Sequence, residues 1–173
     1  MGGLDTLKEI KKIDPKIAVI MVTAVIDEAL AKKSLQLGAA DYITKPLDLN
    51  FIGTRVLVKM FQMTNHDDTN QPPSQPKKIL LIDDEEDFCR ALKKGLEMRG
   101  AYYNLLTATR GDEGIVLAKT QKPDLILLDI MMPGMAGTQV AEELLADPET
   151  SSIPIIFVTA IVKRNEIEKT DGL

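Results

Sequence analysis

A single cysteine, Cys89, and a single histidine, His66, stand in a chain of 173 residues. One cysteine cannot close an internal disulfide, and Cys89, beside Phe88 in a helical pattern, reads as a buried structural thiol. His66, set among Asn and Asp, reads as an exposed bystander rather than a metal ligand or phosphodonor. No dense cluster of Lys or Arg is present and the net charge is -5. The chain therefore carries no electrostatic footprint for a phosphate backbone, and no direct nucleic-acid partner is expected. Long apolar runs are missing as well: "IAVIMVTAVI" falls well short of the roughly 20 residues of a membrane span. The N-terminus lacks the basic and apolar regions of a signal peptide, so the reading is a cytoplasmic protein with no membrane partner. What is present, 45% hydrophobic and 27% charged residues, supports one good core or two small ones and excludes a disordered chain.

Helix and strand signals alternate along the chain. Leu4, Leu7 and Ile10 fall at helical spacing, and "IAVIMV" is a β-branched run of a strand buried on both faces. Asp27 caps a second helix that Gly38 ends, "DYIT" is a short strand, and Asp48 caps a third helix carrying Phe51, Ile52, Val56 and Met60. Residues 63 to 77, polar and with three prolines, read as a solvated linker. After it the alternation resumes: strand "KILLI", a helix over 86 to 99, strand "YNLLTA", helix "GDEGIVLAKT", strand "DLILL", helix "TQVAEELLAD" and strand "IPIIFVTA". Such alternation predicts a parallel sheet covered on both faces.

Residues 1 to 24 and 132 to 160 form an internal repeat, each with a Met-x-Gly start, a central Asp-Pro and a Val-Thr-Ala end. One supersecondary unit thus occurs twice.

Parallel α/β sheets bind ligands at the carboxyl ends of their strands. Asp83 and Asp84 follow "KILLI" and Asp129 follows "DLILL", so three carboxylates stand where that rule places a site. At about 4 Å and an effective dielectric near 20, each like-charged pair costs roughly 4 kcal/mol, which calls for a divalent cation. An oxygen-only, incomplete shell suits Mg²⁺. The plainer alternative is that the acids of 83 to 87 cap the following helix and favour its dipole.

The stretches "KKILLIDDEEDF", "PDLILLDIMMPGMAG", "IIFVTA" and "GAADYITKPLDL" together resemble the motifs of response-regulator receiver domains of two-component systems. The separations fit that pattern: 46 positions from Asp83 to Asp129, 30 from Asp129 to Thr159 and 22 from Thr23 to Lys45. The resemblance implies a flavodoxin-like, doubly wound parallel α/β sheet. It implies that Asp129 is the phosphoacceptor, attacking a phosphohistidine of a sensor histidine kinase or phosphotransfer protein. Asp84 then binds Mg²⁺ directly, Asp83 through water, and the backbone carbonyl of Met131 completes the protein's share. Lys45 supplies a cation to the phosphate, Thr23 or Thr159 a hydroxyl, and Tyr42 matches the aromatic that changes rotamer to alter the surface read by a downstream protein. Tyr42 reads equally as a half-buried strand aromatic.

The motifs are split. Residues 1–62 resemble the later part of one receiver and 78–173 the earlier part of another, joined by the linker 63–77. Closure on itself as a circular permutant, exchange of halves between two chains, and a fragment of a tandem-receiver protein all fit, and self-closure is the preferred reading. Two other functions compete. A hydrolase of the haloacid-dehalogenase kind wants an Asp at the position of Met131, and a phosphorylation-independent pseudo-receiver needs only a docking surface. The expected role is that of a signalling module rather than an enzyme.

Overall fold

The computed structural model describes residues 3–23, 28–44, 76–97 and 103–160. It divides into two compact units, residues 1–46 with 157–173, and residues 47–156.

In the first unit α1 (Gly3–Ile13) buries Leu7 and Ile10, two of the three apolar positions read as its inward face, and leaves Leu4 half-buried. β1 (Ala18–Thr23) follows, and Ala18 to Val22 are at most 4% exposed, as a β-branched strand covered on both faces demands. The Lys11 ammonium donates to the Ile17 carbonyl at 2.7 Å, tying the end of α1 to the start of that strand. α2 (Glu28–Gln36) ends at Gly38, whose φ of +92° gives the left-handed turn expected there. β2 (Asp41–Thr44) runs parallel to β1 in a register ending Thr23↔Thr44. The strand order in this unit is β2-β1-β6, with β6 spanning Ile155–Ala160. The boundary between the units falls inside β6, after Ile156.

The second unit is built on β3 (Lys77–Ile82), flanked by β5 (Leu125–Leu128) and β4 (Tyr103–Ala108) in the order β5-β3-β4. Both pairings are parallel. Residues 79 to 82 and 125 to 128 have no exposed surface, whereas β4, outermost in this order, buries only Leu105 and Ala108. α3 (Glu86–Glu97) turns Cys89, Leu92 and Leu96 inward, so Cys89 rather than Phe88 fills the first buried place. α4 (Gly111–Gln121) presents Gly114 to Ile82 and Gly111 to Val140 of α5 (Gly137–Ala146). After α5 the Thr150 hydroxyl donates to the Leu144 carbonyl at 2.7 Å, and the chain enters β6. The helix expected after Asp27 is thus α2, while its cap Asp27, the helix proposed to start at Asp48 and all but the end of the linker 63–77 lie outside the described residues.

Candidate phosphoacceptor site

The register of the second unit sets the site. β3 and β5 end together at Ile82↔Leu128, so the next residue of each strand, Asp83 and Asp129, stands at the same edge. Two backbone bonds carry the alignment past the strand ends. The Asp129 N–H donates to the Ile82 carbonyl at 2.9 Å and the Asp83 N–H to the Ala108 carbonyl at 3.0 Å. Asp84 follows on the turn into α3. The result is that Asp83, Asp84 and Asp129 each place a carboxylate oxygen within 4.8 Å of the others.

Local turns aim these groups. Asp83 Oδ1 accepts the Glu85 N–H at 2.8 Å, and Asp129 Oδ2 accepts the Met131 N–H at 3.1 Å. Gly134, at φ +82°, makes the bend of the "PGM" turn, and the Gly137 N–H then donates to the Ile130 carbonyl at 3.0 Å. Ala136, ahead of α5, donates its N–H to Gln139 Oε1 at 3.0 Å. The segment after Asp129 is therefore pinned to β3 on one side and to the start of α5 on the other.

Burial dominates the electrostatics. It pushes the Asp83 carboxyl up to about 7; the Glu85 N–H bond opposes this, and the charges of Asp129, Glu85 and Asp84 add to it. Asp129 rises to about 6, chiefly by burial, against the N–H groups of Ile130 and Met131, with Asp84 and Glu85 adding. Burial, with Asp83 adding, also lifts the Cys89 thiol to about 11, and its Sγ–H donates to the Asp83 carbonyl at 3.5 Å. Cys89 is thus the buried, unreactive thiol expected.

The capping alternative holds for part of the acidic run. Glu86 and Asp87 occupy the first turn of α3 and both pair with Arg90, whereas Asp83 turns toward Asp129. Glu85 was missed as a contributor: its N–H holds Asp83 and its charge acts on both Asp83 and Asp129. Its place next to the acidic pair was the available signal. Tyr42 is half-buried in β2, paired in register with Met21, and its N–H bonds Asp41 Oδ1 at 2.9 Å. Thr23 and Thr159 are placed as the last residue of β1 and the penultimate residue of β6, in the first unit. Lys45 and His66 lie outside the described residues.

Comparison with known proteins identifies the class. The family model of the response regulator receiver domain matches residues 1–57 and 79–170, and the chain belongs to this family, whose members are signalling domains of two-component systems. Protein PilH of Pseudomonas aeruginosa is 41% identical over 95 residues, spanning 55% of this chain and 75% of PilH. The alkaline phosphatase synthesis transcriptional regulatory protein PhoP of Bacillus subtilis is 41% identical over 97 residues, 56% of this chain and 38% of PhoP. Response regulator PleD of Caulobacter vibrioides is 39% identical over 89 residues, 51% of this chain and 19% of PleD. Among solved structures, the N-terminal domain of a response regulator receiver protein from Methanoculleus marisnigri is 34% identical with a TM-score of 0.46, covering 54% of this chain and 76% of that one. The chain thus spans well under half of PhoP and of PleD. PhoP is a transcriptional regulator by name, so the expected absence of a nucleic-acid partner rests on charge alone. Among the described residues no helix is long and apolar enough to cross a membrane.

Proposed function

We propose that the chain is a phosphoacceptor module that takes a phosphoryl group onto Asp129 from a phosphohistidine of a sensor histidine kinase or phosphotransfer protein. The carrying observation is the convergence of Asp83, Asp84 and Asp129 within 4.8 Å at the carboxyl edge of β3 and β5. At that spacing and an effective dielectric near 20 each like-charged pair costs about 3 kcal/mol, so an all-oxygen cluster of this kind fits a hard divalent cation. Asp84 and Asp129 would hold Mg²⁺ directly, Asp83 through water, and the Met131 carbonyl would add a fourth oxygen. The cation would offset the charge that gathers on the transferring phosphoryl oxygens. Asp129 itself forms the new P–O bond as the P–N bond to the donor imidazole breaks and the imidazole takes up a proton. Lys45 would pair with the phosphate, Thr23 or Thr159 would donate a hydroxyl to it, and Tyr42 would report the change to a downstream protein. The division into 1–62, 63–77 and 78–173, and a cytoplasmic location, belong to the same proposal.

Intact-mass measurement after incubation with a small phosphodonor and Mg²⁺ tests this. One phosphate adduct is expected on the wild type and none on Asp129→Asn. An unmodified wild type, or an adduct kept in Asp129→Asn, sinks the proposal.

A second reading, an inactive or docking-only piece of a tandem receiver, draws on the strand order of the first unit. There β1 stands between β2 and β6, so the strand leading to Lys45 neighbours the one ending in Thr23 and not the one carrying Thr159. Mg²⁺ affinity unchanged in Asp84→Ala would favour it.

A further inference from the structure

We infer that Gly137 is a positioning residue for Asp129; the inference deepens the phosphoacceptor reading and rests on it for its consequence, though not for its geometry. Gly137 is the first residue of α5 and is buried. Its φ is not among the positive values, so the backbone makes no demand for glycine here. The demand is for space. A Cβ at 137 would overlap the Asp129 carbonyl oxygen and stand 3.0 Å from both the Asp129 carbonyl carbon and the Ile130 Cα. These are backbone atoms, which cannot swing aside as a side-chain tip can.

The neighbouring bonds direct where the strain would go. Asp129 is held on its far side by its N–H bond to Ile82, and the 130–137 contact is closed by the Gly137 N–H on the Ile130 carbonyl. The Asp129 carboxylate takes its aim from the Met131 N–H two residues on. Any side chain at 137 must therefore either break the 137–130 bond or push the 129–131 backbone, and with it the acceptor carboxylate, relative to Asp83 and Asp84. Displacements of about 1 Å are enough to disable an oriented reacting group. Gly111 offers a matched contrast in the same helix pair. A Cβ there meets Val140 Cγ2 at 2.6 Å and Met135 Sδ at 3.1 Å, and its three nearest atoms all belong to side chains rather than to the acceptor's backbone.

Amide NMR of the full chain, metal-free and then titrated with Mg²⁺ alone, tests the assignment. Gly137→Ala is expected to move the Asp129 and Met131 amide resonances more than any others on the segment 129–137. It should also weaken Mg²⁺ binding by about tenfold. Gly111→Ala is expected to melt at a lower temperature yet leave those two amides in place and Mg²⁺ binding within about twofold of wild type. Unmoved Asp129 and Met131 amides in Gly137→Ala overturn the inference. Should Gly137→Ala fail to fold, hydrogen exchange on the metal-free wild type decides: the Gly137 and Asp129 amides are expected to exchange through one shared opening with matching urea dependence, and separate openings overturn it. A wild type that binds no Mg²⁺ sinks the cation reading alone, since the metal-free amide shifts and exchange still decide the positioning role.

Discussion

Asp83 and Asp129 are acids that the fold holds against their own chemistry. Their folded pKa values, about 7 and about 6, lie above the ordinary 3.8. The folded chain therefore keeps protons that the unfolded chain has released, and the stabilisation this brings is complete below about pH 4 and is lost as pH rises through 6 to 7. Metal-free Asp83→Asn is accordingly expected to be more stable than wild type at pH 8, by about 2 kcal/mol, with the advantage vanishing toward pH 4. Urea unfolding in chelator at the two pH values measures it, and an equal or lower stability at pH 8 contradicts the origin assigned to the strain. The chemical identity of these residues was legible in the sequence because each follows an apolar strand run. Their burial was not, because it depends on β3 and β5 ending in the same register, and on the Ile82 and Ala108 carbonyls that continue the alignment. Glu85 escaped notice for a related reason: its contribution is a backbone N–H and a through-space charge, neither of which has a motif.

At the level of elements, the packing of α4 on the sheet depends on Gly114. A Cβ there would overlap Ile82 Cδ1 and stand 2.8 Å from Cγ1 and 3.0 Å from Cγ2, on a β-branched side chain with no exposed surface. Replacing helical glycine by alanine gains about 1 kcal/mol in propensity, but overpacking a filled core costs about 1–3 kcal/mol. Gly114→Ala is thus expected to lose about 1 kcal/mol net in chemical denaturation; a more stable variant would show that Ile82 yields freely. Helices and strands were readable from periodicity, since "AVIMVT", "KKILLI" and "LILL" are long enough in β-branched and aliphatic residues to declare themselves. The order of the repeated strands was not. "IAVIMVTA" and "IPIIFVTA" offer the same apolar, β-branched faces, so hydrophobic pattern gives no ground for putting one rather than the other beside β2. The structure puts β1 there.

Over the whole molecule, a net charge of -5 draws cations toward the protein in addition to the three local carboxylates. Exposed parts of that field are screened within about 8 Å at physiological ionic strength, whereas buried Asp83 and part-buried Asp84 and Asp129 are screened less. Mg²⁺ affinity measured by calorimetry is therefore expected to fall as KCl rises from about 0.05 to 0.5 M, by a few-fold and not to extinction. A salt-independent affinity would locate the attraction in the site alone, and complete loss would locate it in the general field. Two receiver-like segments were legible from the sequence as split motifs and as a repeat, and the family match falls on two segments in the same way.

Cys89 has a practical consequence. It is the chain's one thiol, 5% exposed, and donates to the backbone carbonyl of Asp83 beneath the acidic cluster. A thiol reagent reaches it only when α3 lifts from the end of β3, so the rate of its labelling times the opening of this corner without an introduced cysteine.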